Sequence, residues 1–171
     1  MKKLTERYFE IAQELKIRYE ADQALRRRCQ SDPKNEHWDA NTDFQNTNRL
    51  KKIIEEIGWP SIQKVGEKGA MHAWLLAQHA DHDGAFQKYC LSLMKAEPKG
   101  NVDTENIAFL EDRVAVSEGI HQLYGTQFFK DSDGEFKPQL IFEPENIEKR
   151  RKEMGLDTFE EYQRGMIEKS K

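Results

Sequence analysis

The sequence predicts a mainly α protein: about six to seven helices in one compact domain, with a single β-hairpin near residues 122–142. Three observations lead there. Apolar residues recur at intervals of three and four through most of the first two thirds of the chain, the signature of amphipathic helices. Only "QLYGTQFF" and "EFKPQLIF", which flank "KDSDG", have strand composition around a tight-turn Asp-Gly pair, Asp133-Gly134. The length of 171 residues suits a single domain with a sizeable core, and three Trp, nine Phe and five Tyr supply large side chains to fill it.

The elements follow in order. Leu4, Tyr8, Ile11 and Leu15 mark a long helix from about residue 3 to about residue 29, stopped by "SDPKN". A polar loop through Trp38 leads to "TDFQ", where Thr42 and Gln45 have capping-box spacing. The helix that follows carries Leu50, Ile53, Ile54 and Ile57 on one side. "GWP" at 58–60 ends that helix. Further helices are expected over about 67–80, 83–96 and 104–118, and Pro138 assigns the second strand of the hairpin to an edge. Two short helices close the chain, the last entered through "DTFE", with Asp157 as cap and Glu160 at the third helical position. Within the one domain, an N-terminal helical part spans about 1–60 and the motif-bearing core about 61–171.

Composition narrows the function. The 27 basic and 31 acidic residues give a net charge of −4 with no long block of one sign, which argues against a nucleic-acid surface. "RRR" at 26–28 and "KRRK" at 149–152 read as solvated helix faces. Cys29 and Cys90 lie far apart without a C-x-x-C pair, so neither a disulfide framework nor a zinc site is indicated, and a reducing cytoplasm fits. No apolar run approaches the roughly 18 residues of a membrane span, and the charged start lacks a signal-peptide core, so the reading is a soluble, cytoplasmic protein without a membrane partner. No spacing speaks to the oligomeric state.

Several polar residues fall on faces that should be apolar. Asp22 lies 18 residues after Leu4, about five helical turns, and therefore on the same face, with Arg26 one turn further on to pair with it. Asp43 and Asn46 extend the stripe of Leu50, Ile53 and Ile57 backwards, although Asp43 also suits the first turn of a helix on electrostatic grounds. In "LAQHADHDGAFQ" at 76–87, an uninterrupted helix would put His79 and Asp83 together; a break at Ala80-Asp81 would instead make Asp81 or Asp83 a cap. Asp112 is in phase with Ala108 and Val116. Buried unpaired charge costs several kcal/mol, so these acids must be paired or hydrated, and their recurrence on separate helices suggests a common polar pocket.

Several short motifs lie along the chain. They are Gly58-Trp59-Pro60; Trp74 with Gln78, His79, Ala80, Asp81, Asp83, Phe86 and Gln87; Leu110, Asp112 and Arg113; and Gln122, Tyr124, Gly125, Thr126 and Gln127. Arg150, Arg151, Gly155, Leu156, Glu161 and Tyr162 complete the C-terminal part. Upstream, Asp22, Gln23 and Arg26, then Asp43, Asn46, Thr47, Arg49 and Leu50, also belong to the set. Together these motifs resemble a bacterial domain family of unassigned function; the resemblance covers nearly the whole chain, departs from the family pattern at "LIFEPEN", and implies a polar centre near His79 and Tyr124 without supplying an activity.

Three functional readings follow. The first is an enzyme acting on a small molecule or peptide group, with His79 as general acid or base beside Asp81 and Asp83. Arg113, Tyr124, Thr126, Gln127 and Gln87 would bind substrate, and Asp22, Gln23, Asp43, Asn46 and Asp112 would support the site. The second is a non-enzymatic module that binds a ligand or protein, its buried polar network serving only to fix the packing. The third is a divalent-metal hydrolase with His79, Asp83 and Asp22 as ligands, or Asp112 in the place of Asp22. No other cofactor is called for: there is no phosphate-binding loop or dinucleotide fingerprint, and "DSDGEF" has Phe142 where a calcium loop needs glutamate.

Overall fold

The computed structural model describes residues 2–31 and 39–169. Trp38, the remainder of "SDPKN" beyond Ser31 and the side chain of Leu4 lie outside the described residues. The fold is mainly α, as the sequence predicts: seven α-helices and one two-stranded antiparallel hairpin among the described residues. The chain clusters into two compact units, one ending at Val102 and the other beginning at Asp103. No helix among the described residues is long and apolar enough to cross a membrane.

The first unit holds α1 (Lys2–Gln30), α2 (Ala40–Ile57), α3 (Ile62–Gln78) and α4 (Gly84–Ala96). Its core is the apolar stripe of each helix: Ile11 and Leu15 from α1, Leu50 and Ile53 from α2, Ala73 and Leu76 from α3, Cys90 and Met94 from α4. Burying each large aliphatic side chain contributes about 1.5–3 kcal/mol. Helix α1 packs on α3, where Gly69 has no room for a side chain because an added Cβ would sit 2.9 Å from the Val65 Cβ and 3.5 Å from that of Ala12. Helices α1 and α2 are joined by Arg49, which donates through Nε and Nη2 to the Glu14 carboxylate at 2.6 and 2.7 Å. That fork holds the Glu14 carboxyl down to about 2, with burial opposing and Arg18 assisting.

Three boundaries differ from expectation for identifiable reasons. Helix α2 begins two residues before Thr42, because Asp39 is the cap and accepts from the Asn41 N–H at 3.0 Å. Helix α3 begins at Ile62 with a short turn, broken by Gly66 at φ 75°, before the straight stretch that the sequence placed at about 67. Its start is held by Asn101, whose carbonyl and side chain accept from the N–H groups of Ile62 and Gln63 at 2.9 and 2.8 Å. At the "GWP" turn, Lys64 donates to the carbonyls of Ile57 and Trp59 at 2.8 and 2.9 Å and so satisfies backbone groups that the end of α2 leaves open.

The second unit comprises α5 (Thr104–Ser117), β1 (Phe128–Lys130), β2 (Phe136–Pro138), a 3-10 turn (Pro144–Asn146), α6 (Ile147–Met154) and α7 (Phe159–Lys169). The strands pair with Phe129 opposite Lys137, and the Asp131 carboxylate closes the turn by accepting from the N–H groups of Asp133 and Glu135, each at 2.9 Å. The hairpin is shorter than expected. Residues 122–127 form a loop instead of a strand, because the N–H groups of Leu123, Tyr124 and Thr126 turn towards Asp112. Gly125 sits in that loop at φ 70°, and a Cβ there would come within 2.5 Å of the Phe159 ring. The last helix is capped one residue later than expected, by Thr158 and Glu161, whose side chains each accept from the other's N–H at 3.3 Å.

Candidate functional site

His79 closes α3 with non-helical backbone angles, φ −91° and ψ 4°, and its N–H bonds the Leu75 carbonyl. The chain then turns through residues 80–83 into α4, so α3 and α4 are separate helices and the break at Ala80-Asp81 is the arrangement found. Asp83 is the cap of α4: its Oδ1 accepts from the Phe86 N–H at 3.0 Å, and its Oδ2 receives Lys51 Nζ at 2.7 Å. The lysine holds the Asp83 carboxyl below its ordinary value. Gln87 is buried and donates to the last carbonyls of α3, on Ala77 and Gln78, and to the Asp81 carboxylate at 3.1 Å. Asp81, Asp83 and Gln87 thus shape the turn that presents His79.

The carboxylate that meets His79 comes from α1. Asp22 is 1% exposed, and its two oxygens lie 3.1 and 3.0 Å from His79 Nδ1. Gln23 donates to Asp22 Oδ2 at 2.9 Å, and Arg26 Nε reaches both Asp22 oxygens at 3.2 Å. Arg26 Nη2 also donates to Asp43 Oδ1 on α2 at 2.9 Å. Three elements distant in sequence therefore bring Asp22, Asp43 and His79 together around one guanidinium. Asn46, one turn beyond Asp43, accepts from Arg18 at 3.2 Å and faces α1 as its spacing suggested. His79 Nε2 has no hydrogen-bond partner among the described residues, and its side chain is 16% exposed.

The two carboxyls are pushed apart. Burial works to raise Asp22, but His79, Gln23 and Arg26 outweigh it and leave the group below its ordinary value of 3.8. Burial raises Asp43, and the nearby Asp22 adds to that against the pull of Arg26. A depressed carboxyl contributes stability that is present above its unfolded value and lost as pH falls through the folded one. Asp22→Asn is accordingly expected to flatten the loss of stability on acidification below about pH 4, measured by urea unfolding at each pH. An acid limb identical to that of the wild type would contradict the pairing.

The other predicted site residues lie in the second unit. Asp112 on α5 is fully buried and accepts from the N–H groups of Leu123, Tyr124 and Thr126 at 2.7, 3.0 and 2.9 Å and from the Thr126 hydroxyl at 3.0 Å. Burial pushes its carboxyl up and these donors pull against it. Gln127 donates its side-chain amide to Thr126 Oγ1, and its N–H goes to Gln122 Oε1. The Tyr124 hydroxyl lies 3.4 Å from Glu111, and its carbonyl accepts from Arg151. Arg113 follows Asp112 on α5. Asp112, Gln122 and Arg151 organise the 122–127 loop.

A family model matches residues 9–170. The chain belongs to DUF6624, a family of unknown function. Neither the curated proteins nor the solved structures contain a match. In this DUF6624 member, Asp22, Asp43 and His79 are the one group of three or more His, Cys, Asp or Glu side chains among the described residues whose potential ligand atoms converge, all within 4.8 Å of one another. Sequence spacing indicated Asp22 and Arg26 as a pair and Asp43 as inward-facing; the metal reading grouped Asp22 with His79, and Asp43 was expected only in a supporting place. The Lys51–Asp83 pair, 32 positions apart, likewise left no local signal.

Proposed function

We propose that this DUF6624 member is an enzyme that moves protons on a small molecule or peptide group, with His79 as general base or acid and Asp22 as its orienting carboxylate. One observation supports the reading: Nδ1 faces a buried carboxylate, while Nε2 has no hydrogen-bond partner among the described residues and the ring is partly exposed. With Nδ1–H donating to Asp22, the Nε2 lone pair is directed away from the network, and the carboxylate supports the imidazolium that forms when Nε2 takes a proton. Gln23 and Arg26 hold Asp22 in turn. Hydrolysis, elimination and isomerisation are reactions such a pair serves. The free Cys29 and Cys90 support a reducing cytoplasm; the Cys90 thiol, pushed up to about 12 by burial, is a poor nucleophile.

A packing role is favoured by a different observation: both oxygens of Asp22 are engaged, and the network ties α1 to α2 and to the end of α3. A panel of chromogenic esters, phosphoesters, peptides and hydroxy acids separates the two. Turnover by the wild type that falls about 10²–10⁴-fold in His79→Ala, and is kept in His121→Ala, is the expected result. Turnover that is absent throughout, or unchanged in His79→Ala, would favour the packing role.

A further inference from the structure

We propose that Asp22, Asp43 and His79 form a binding site for a divalent transition ion of the manganese, iron or zinc kind, held in competition with the Arg26 guanidinium. This goes beyond the proton-transfer reading and does not depend on it. The ligand atoms lie within 4.8 Å of one another. Bonds of about 2.0–2.2 Å set neighbouring ligands about 3 Å apart and opposite ones just over 4 Å, so the most distant atoms close by about half an ångström as opposite ligands and by up to about 2 Å as neighbouring ones. Asp22 stands on α1 and Asp43 on α2, and His79 is the residue that closes α3.

The donor chemistry selects the ion. One imidazole with two carboxylates suits manganese, iron or zinc; magnesium and calcium prefer oxygen alone, and no thiolate is present to favour copper(I). Three protein ligands leave positions for water or substrate. The second, independent observation is that a cation already occupies this place: Arg26 reaches Asp22 at 3.2 Å and Asp43 at 2.9 Å. An ion balances the two carboxylates by itself, so the guanidinium becomes surplus charge and must swing out, which its 26% exposed side chain can do. Asp83, committed to Lys51 and to the start of α4, is not a ligand in this arrangement.

The test is calorimetric titration of the full chain with Mn²⁺ and Zn²⁺ at pH 7, with Mg²⁺ as the oxygen-preferring control. Arg26→Gln is expected to bind at least tenfold tighter than the wild type, Asp43→Asn and His79→Ala at least tenfold weaker, and Asp83→Asn equally well. A folded Arg26→Gln that takes up neither Mn²⁺ nor Zn²⁺, or binds them equally well with Asp43→Asn added, would overturn the site. If Arg26→Gln does not fold, the histidine ring signals of the wild type decide under sub-stoichiometric Mn²⁺. Selective loss of the His79 signal, absent in Asp43→Asn, supports the site, and equal broadening of His79 and His121 overturns it. Because no turnover is read, failure here leaves His79-dependent catalysis standing, and failure of catalysis leaves the ion site standing.

Discussion

Asp112→Ala is expected to destabilise the protein by about 3–5 kcal/mol, because it removes the acceptor around which residues 122–127 are built. The carboxylate is fully buried and takes three backbone N–H groups and one hydroxyl. With the acceptor gone, three amides directed into the unit have no replacement, since the alanine leaves a gap lined by donors. The loop cannot simply relax into the strand that its composition suggests: Gly125 is fixed against Phe159, and Tyr162 donates its hydroxyl to the Thr126 carbonyl at 3.1 Å. Asp112→Asn keeps one accepting oxygen but turns an NH₂ towards other donors, so a loss of about 1–3 kcal/mol is expected. Urea unfolding measures both. A loss below about 1 kcal/mol for the alanine variant would mean that the loop does not depend on this acid.

Asp22→Ala is the second large effect, at about 2–4 kcal/mol. The substitution strips Arg26 and Gln23 of a shared acceptor in a region 1% exposed, though Arg26 retains Asp43 and so softens the loss. His79→Ala is predicted to behave quite differently. Asp22 keeps Arg26 on both oxygens and Gln23 on one, so its charge stays compensated when the histidine is removed. On the proposed reading the carboxylate serves packing as well as orientation, and the histidine is expected to be dispensable to the fold. That asymmetry is what a proton-transfer group on a supporting frame should show, since functional groups are often retained at some cost to stability.

The helical frame was legible because period and burial agree: Ile11 and Leu15, then Leu50 and Ile53, are buried where their spacing puts them. Ends were less legible, because caps are local choices among several polar residues; Asp39 displaced Thr42, and Thr158 displaced Asp157. The strand expected at 122–127 failed for a tertiary reason, since β-prone Tyr124 and Thr126 give their N–H groups to an acid on α5 instead of to a neighbouring strand. At the site, phase alone identified Asp22, Asp43 and Asn46 as inward-facing. Periodicity reports which way a residue points along one helix and carries nothing about what another helix brings to meet it. Asp81 and Asp83, within four positions of His79, were therefore the partners expected in the acid-base reading, and Asp22, 57 positions away and grouped with His79 only as a metal ligand, is the one that the fold delivers.

Thermal and urea unfolding of the wild type and His79→Ala, side by side, tests the central claim most directly. The account predicts that the variant matches the wild type within about 0.5 kcal/mol or exceeds it, because Asp22 keeps its other partners. A loss of about 3 kcal/mol or more would make the histidine a structural member of the buried network and contradict its assignment as a proton-transfer group.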